Sequence, residues 1–372
     1  MSIYKNLLIL LLISTLVTSN LVYAQSDKHQ IPQWVKNTAK WWSENKTHDK
    51  KFLIALSYLI QTKTVTVPDN VPGSNDKIPS WFKGVARYYA DNIITEEEFE
   101  SSIEYLIKNN SIQVSDKTLS IIDKKGLTEV SYHGYSPLFR MYAYSKDFTI
   151  IDGKPVPIEA HFALKPEFEA NGTYDRIAMW DKPHTAVVIV PIFTSTAYWE
   201  PGFYTYYRND CDSSCLTKKI VFDMPGGFAA SENAVGALSL LGYDTITDLD
   251  VDQNPEILNH YDKVIVLHNE YVTKKEFDAI THHPKVVYLY ANPLYAQVDV
   301  NYKNDTITLV RGHGYQGILN AFGWKYDNSP KEYDTNCSDN SFYKINNGIM
   351  WDCYPENSIF ANMTILKIIK DY

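Results

Sequence analysis

KVIVLHNEY, Lys263–Tyr271, is the stretch on which the reading of the whole chain turns. Its first half is an unbroken run of apolar β-formers, which predicts a strand over 263–268 buried on both faces. Its second half changes abruptly to imidazole, amide, carboxylate and phenol. If the backbone stays extended through Glu270, the two-residue period sets His268 and Glu270 on one side. Working outward, AVVIVPIF (186–193) and KVVYLYA (285–291) predict further buried strands. The first passes into Thr194-Ser195-Thr196-Ala197-Tyr198 and the second into Asn292-Pro293. Between them, Ala229–Leu241 reads as a helix stopped by Gly242. Thr273-Lys-Lys-Glu276 is a capping box opening a helix to about Thr281, and DVNYKNDTITLV (299–310) folds back as a hairpin. Strands alternating with helices predict an α/β layer with a mostly parallel sheet. Upstream, 128–183 is rich in Tyr, Thr and Phe, with turns at Asp152–Pro155 and Asn171-Gly172, and predicts added antiparallel strands.

Ligands of open α/β sheets bind outside the carboxyl ends of the strands. That rule makes Tyr198, His268, Glu270 and Asn292 the candidate site residues. A structural role competes for each of them. Glu270 lies close to the helix that Thr273 opens, where a carboxylate favours the dipole without further duty. Arg311-Gly312-His313-Gly314 carries a cation and a titratable ring, and suits either a loop over the cleft or a plain connection after the hairpin. Pro225-Gly226-Gly227 suits the start of a helix better than a phosphate cradle. No G-x-S-x-G, H-E-x-x-H or Walker motif occurs.

At the other end of the chain, residues 1–24 have the pattern of a secretory leader. Lys5 supplies the charge, Leu7–Val17 the apolar core, and Val22-Tyr23-Ala24 the cleavage site. The core is short of the ~20 residues that span a bilayer, so any membrane contact would be through an uncleaved leader. The expected location is secreted or at the cell surface. Sequons at Asn45, Asn109, Asn171, Asn304, Asn336 and Asn362 agree with a glycoprotein. Of Cys211, Cys215, Cys337 and Cys353, chain proximity favours pairing the first two and the last two, with the other connectivities open. A net charge of −9 excludes nucleic acid as a natural partner.

After the leader, 31–68 and 78–115 are two copies of one pattern. Ile31/Ile78, Pro32/Pro79, Trp34/Trp81, Ala39/Ala86, Phe52/Phe99 and Tyr58-Leu59-Ile60/Tyr105-Leu106-Ile107 coincide. Each copy reads as two helices and an alternating tail, broken by polar residues at Ser43–Thr47 or Asp91–Ile94. Thr95–Glu98 is a second capping box. Trp34, Thr38 and Trp41, like Trp81, Val85 and Tyr88, share one helical face. Such a face fills the core between two helices or forms a platform for sugars, the first being the simpler expectation. Opposite net charges, +4 and −3, favour docking of the two copies.

The repeats resemble tandem I-P-x-W units of exported proteins from ammonia-oxidising archaea. The series TAYWEPGFYTYY, LLGYDTITDLDVDQNPEILNHYDKVIVLHNEY and VVYLYANPLYAQV is similar to the C-terminal domain of the N,N-dimethylformamidase large subunit. That resemblance, over roughly residues 185–300, implies a flavodoxin-like, amidotransferase-like three-layer fold for the α/β domain read over 128–372 and an iron-dependent hydrolysis of amide C–N bonds. It implies Glu270 and Tyr198 as iron ligands, His268 as acid–base group and Asn292 as a nearby hydrogen-bonder. One tyrosine ligand is left without a clear position, Tyr174 being a guess. The expected partner is then a small amide substrate. The rival reading is a non-catalytic envelope protein whose repeats bind a surface glycan or protein.

Overall fold

The computed structural model describes residues 31, 33–47, 49, 52–53, 55–56, 59, 64–65, 78–108, 127–129, 136–144, 148–151, 154–157, 161–222, 231–313, 320–332, 341–351 and 359–372. The leader, the linker 69–77, the Pro225–Gly227 turn, and Cys337 and Cys353 lie outside them. Helix α1 (Gln33–Ser43) is followed by α2 (Phe82–Ala90) and α3 (Glu96–Lys108). Next come β1 (Leu127–Glu129), β2 (Phe139–Tyr144), β3 (Phe148–Ile151), β4 (Lys154–Pro157), β5 (His161–Leu164) and α4 (Pro166–Ala170). The α/β part then runs β6 (Ala186–Val190), α5 (Ile192–Tyr198), α6 (Phe203–Tyr207), β7 (Thr217–Lys219), α7 (Glu232–Leu240), β8 (Asp244–Thr247) and α8 (Asp248–Gln253). It continues with β9 (Lys263–Val266), β10 (Tyr271–Val272), α9 (Lys274–His282), β11 (Val286–Tyr288), β12 (Ala296–Asn301) and β13 (Thr306–Arg311). The hairpin β14 (Phe342–Ile345) and β15 (Gly348–Trp351) and helix α10 (Met363–Asp371) complete it. No helix among the described residues is long and apolar enough to cross a membrane.

The central sheet has the order β14-β15-β11-β9-β6-β8. All its pairings are parallel except the edge hairpin β14–β15. Side chains of the parallel strands alternate between two apolar layers, as a sheet covered on both faces requires. Val188, Ile265 and Val287 point into a core with Ala237 and Leu238 of α7 and Ile365, Leu366 and Ile369 of α10. Val187, Val264, Val266 and Val286 point the other way, against Val251 of α8 and Ile280 of α9. Counted in chain order, the five parallel strands lie 2-1-3-4-5. The chain therefore leaves β6 for β8 on one side and crosses to β9 on the other, and the order reverses between β6 and β9.

Three smaller sheets are also present: β1-β2-β5, β3-β4 and β10-β12-β13-β7. The antiparallel pairings of β1, β2 and β5 and the β3–β4 and β12–β13 hairpins are as expected. The predicted helix stop at Gly242 is present, its φ of +81° being one that glycine adopts without penalty. Two strand ends differ from expectation. β6 stops at Val190, and residues 192–198 form α5 in place of further strand. β9 stops at Val266, two residues before His268. Cys211 and Cys215 form a disulfide, Cα–Cα 6.1 Å.

The N-terminal helices share one core, in which Val35, Ala39, Trp42 and Phe52 meet Phe82, Ala86, Tyr89 and Phe99. The expected aromatic face is therefore corrected by one residue. Trp81 and Tyr88 are 54% and 52% exposed, while the next positions on the helix, Phe82 and Tyr89, are buried. The two copies contact each other reciprocally. Lys36 bonds Asn92 while its equivalent Lys83 bonds Asn45. Lys36 lies over the Tyr89 ring and Lys83 over the equivalent Trp42, at 5.2 and 5.3 Å. This is the pattern of a local twofold axis. Thr95 and Glu98 form the reciprocal capping box, at 2.8 and 3.2 Å.

Candidate active site

The reversal of strand order brings together the segments that follow β6 and β9. After β6, helix α5 carries Tyr198 on its last turn. After β9, residues 267–270 form a kink held mainly by backbone groups. Leu267 N donates to Asn269 Oδ1 at 3.0 Å, and His268 N to Ser231 Oγ at 3.1 Å. The Asn269 carbonyl accepts from Leu294 N, and the Glu270 carbonyl from Tyr295 N and Ala296 N, all within 3.0 Å. Tyr271 N donates to Thr194 Oγ1 of α5 at 3.1 Å, which ties the two segments directly. Asn292 and Leu294 both adopt positive φ, +54° and +56°. For Leu294 this is a strained conformation costing about 1 kcal/mol or more, and its bond to Asn269 helps hold it.

Glu270 is fully buried at the centre. Its Oε2 accepts a 2.8 Å hydrogen bond from the Tyr198 hydroxyl. Its Oε1 lies 2.7 Å from His313 Nε2. His268 Nε2 stands 3.6 Å from Oε2, on the same side as the two-residue period required. The His268 ring stacks on Tyr290, centroids 5.6 Å apart and planes 18° apart, and meets Tyr198 at 5.5 Å. Tyr204 of α6 lies 4.5 Å from the Tyr198 ring, and its hydroxyl accepts from Tyr271 at 3.2 Å. Tyr295, Tyr207 and Tyr204 surround the His313 ring at 4.8 to 6.1 Å.

Burial, and after it the Glu270 carboxylate, pushes the Tyr198 and Tyr204 phenols far above their usual range, so both are neutral at physiological pH. Burial alone would lower His313, but its bond to Glu270 outweighs this and the net direction is upward.

Three of the four expected site residues therefore meet: Tyr198, His268 and Glu270. Asn292 lies in the adjoining segment, two residues beyond Tyr290, with its backbone N–H on Asn328 Oδ1 at 3.0 Å. Its side-chain amide is fully buried and has no hydrogen-bond partner among the described residues. Tyr174 is elsewhere. Its hydroxyl donates to Leu138 O at 2.7 Å and accepts from Lys165 N at 2.8 Å, inside the core that α7 covers. Its guessed role at the site is thus corrected. Tyr204 and His313 join the site instead. Tyr204 follows Tyr198 by six residues in an unusually phenol-rich stretch, a signal that was present. His313, two residues beyond β13, lies in the segment for which the sequence offered a place over the cleft, and it meets Glu270.

Among the described residues no group of three or more His, Cys, Asp or Glu side chains is placed to hold a metal ion. The donors gathered there are the Glu270 carboxylate, the Tyr198 and Tyr204 phenols and the His268 and His313 imidazoles, an oxygen and nitrogen set without thiolate that fits a ferric ion better than a soft metal. A buried carboxylate flanked by phenols and imidazoles thus lies at the point where the parallel sheet of this α/β protein reverses its order. Residues 162–360 match the family described as N,N-dimethylformamidase beta subunit-like, C-terminal. The match covers more than half of the chain, and the chain belongs to this family. No curated protein matches it.

Proposed function

We propose that the protein hydrolyses an amide C–N bond in the pocket around Glu270. The observation that carries this reading is the convergence of the Tyr198 hydroxyl and the His268 and His313 rings on one fully buried carboxylate. The pocket's place at the reversal of strand order, where open sheets bind their ligands, supports it. Membership of a family described by an amidase supports the reaction class. The 2-1-3-4-5 order with helices on both faces supports a flavodoxin-like three-layer domain. The leader-like N-terminus and the Cys211–Cys215 disulfide support a location outside the cytoplasm.

Iron would be held by Glu270 and Tyr198, with Tyr204 the phenol that the sequence left without a position. When bound it would supply Lewis acidity toward the amide carbonyl. The chain's own groups supply the rest. His268, stacked on Tyr290, carries a proton at Nε2 toward the leaving amine. Asn292, whose buried amide has no hydrogen-bond partner among the described residues, hydrogen-bonds the substrate or its attacking water. The surrounding tyrosine rings exclude bulk water, which strengthens every charge interaction inside.

The test is amine release from N,N-dimethylformamide and from simple primary amides by the purified full chain, with its iron content measured in parallel. Stoichiometric iron that is lost in Glu270→Ala, together with amine release lost in the same variant, is the expected result. A folded, iron-loaded chain that releases no amine from any of these amides overturns the reading.

A further inference from the structure

The local twofold of the N-terminal unit gives it two equivalent outward faces, and among the described residues one of them is used within the chain. On α1 that face docks on the α/β domain. Asn37 Nδ2 donates to Asp250 Oδ2 at 2.7 Å, and Trp41 packs on Phe222 with centroids 5.1 Å apart. Lys46, just after the helix, bonds Asp305 at 3.1 Å. The equivalent positions of the second copy are Gly84, Tyr88 and Ile93. Tyr88 and Ile93 are 52% and 65% exposed, and Trp81 on the same stripe 54%. Nothing lies within 4 Å of the place a Gly84 Cβ would take.

We infer that this outward α2 face, Trp81, Gly84, Val85 and Tyr88 with Ile93 at its end, joins two copies of the chain across a twofold axis. This inference is independent of the reading of the pocket. The positions are one helical stripe, i, i+3, i+4 and i+7. If two α2 helices cross antiparallel with the axis between Gly84 and Val85, Trp81 of each faces Tyr88 of its partner. Gly84, lacking a side chain, lets the two backbones approach at the centre. An isologous contact requires this self-complementarity.

An acidic partner resembling the α/β domain is disfavoured. Asn37 and Lys46, the groups that bind its carboxylates, are replaced here by glycine and isoleucine. Charge does not oppose a second copy, because Arg87 is paired with Asp91 at 3.5 Å and Lys83 is tied to Asn45. The exposed parts of Trp81, Tyr88 and Ile93 amount to about 300 Å² of apolar surface per copy. Two copies together cover about 600 Å² of apolar surface, at the small end of the range for specific contacts, so the dimer is a weak one.

Sedimentation equilibrium of the full chain tests this. The expected mass rises from 42.7 kDa toward twice that value as concentration increases. Tyr88→Glu should weaken association at least tenfold, with circular dichroism and melting unchanged. Trp81→Ala provides the same reading should Tyr88→Glu not fold. A chain that stays monomeric to about 100 μM, where a micromolar dimer would be filled, overturns the inference. So does a dimer of equal strength in either folded variant.

Discussion

Glu276→Gln tests whether the buried acids behind the pocket share a proton. Asp248 and Glu276 are both fully buried, and each is pushed well above its usual range, first by burial and, for Glu276, next by the Asp248 charge. Asp248 accepts from Phe193 N at 2.7 Å and has a reason to stay ionised. The Glu276 carboxyl is steadied by the Thr273 backbone and the Asn269 side chain, but it faces the Asp248 and Asp252 charges, which push it up. The pair therefore keeps one proton through the neutral range, and Glu276 is the better holder. In the unfolded chain a glutamate loses its proton near pH ~4.3. Above that pH the folded state binds one more proton than the unfolded state, so stability falls as pH rises. The slope is at most about 1.4 kcal/mol per pH unit, reached while the folded chain keeps the proton that the unfolded chain has lost. Gln keeps the shape and removes the titration, so the variant should lack this part of the decline. Urea unfolding at pH 5, 6 and 7 measures the difference. Parallel curves for the two proteins would refute the shared proton.

Other consequences follow from single contacts. Tyr198→Phe removes the hydroxyl on Glu270, a bond to a buried charge worth about 1.5–3 kcal/mol, and should reduce both thermal stability and iron retention. Asn37→Ala leaves Asp250, among the described residues, with its hydrogen bonds to Thr247 and the Lys40 charge, at a cost of about 1–3 kcal/mol. Limited proteolysis should then release the N-terminal unit sooner, and an unchanged cleavage pattern would count against that docking. Lys263, whose ammonium donates to the Ile369 and Lys370 carbonyls, is lowered to about 8, chiefly by burial. Between that value and its unfolded value the unfolded chain binds the extra proton, so stability should rise by roughly 1 kcal/mol per pH unit from pH 8 to about 9.5. Lys263→Met should flatten that rise in melting scans.

The parallel sheet was legible because KVIV, AVVIV and VVY are apolar on both faces, which only a covered sheet accommodates. His268 and Glu270 were legible because a two-residue period survives the kink that follows β9. Residues one step apart on α1 and α2 were not separable in the same way. Trp41 and Trp42, and likewise Tyr88 and Tyr89, are all aromatic, so the stripe alone does not say which member faces inward. That choice is made by Phe52 and Phe99 on one side and by the α/β domain on the other.

The misread end of β6 has a different cause. Ile192 and Phe193 are strand-formers following a strand, and Pro191 offers no side-chain cap for a helix. The cap comes from another element: the Asp248 carboxylate, from the start of α8, accepts the Phe193 N–H and places a negative charge at the N-terminus of α5. A helix opened by a residue 55 positions away leaves no mark in its own sequence, yet it is what turns Tyr198 onto Glu270. The same side chain is the neighbour whose charge, after burial, pushes Glu276 up. The pocket's phenol and the protein's pH response thus depend on one side chain. Asp248→Asn, which can still accept the Phe193 bond without the charge, should leave Tyr198 in place while relieving the repulsion on Glu276.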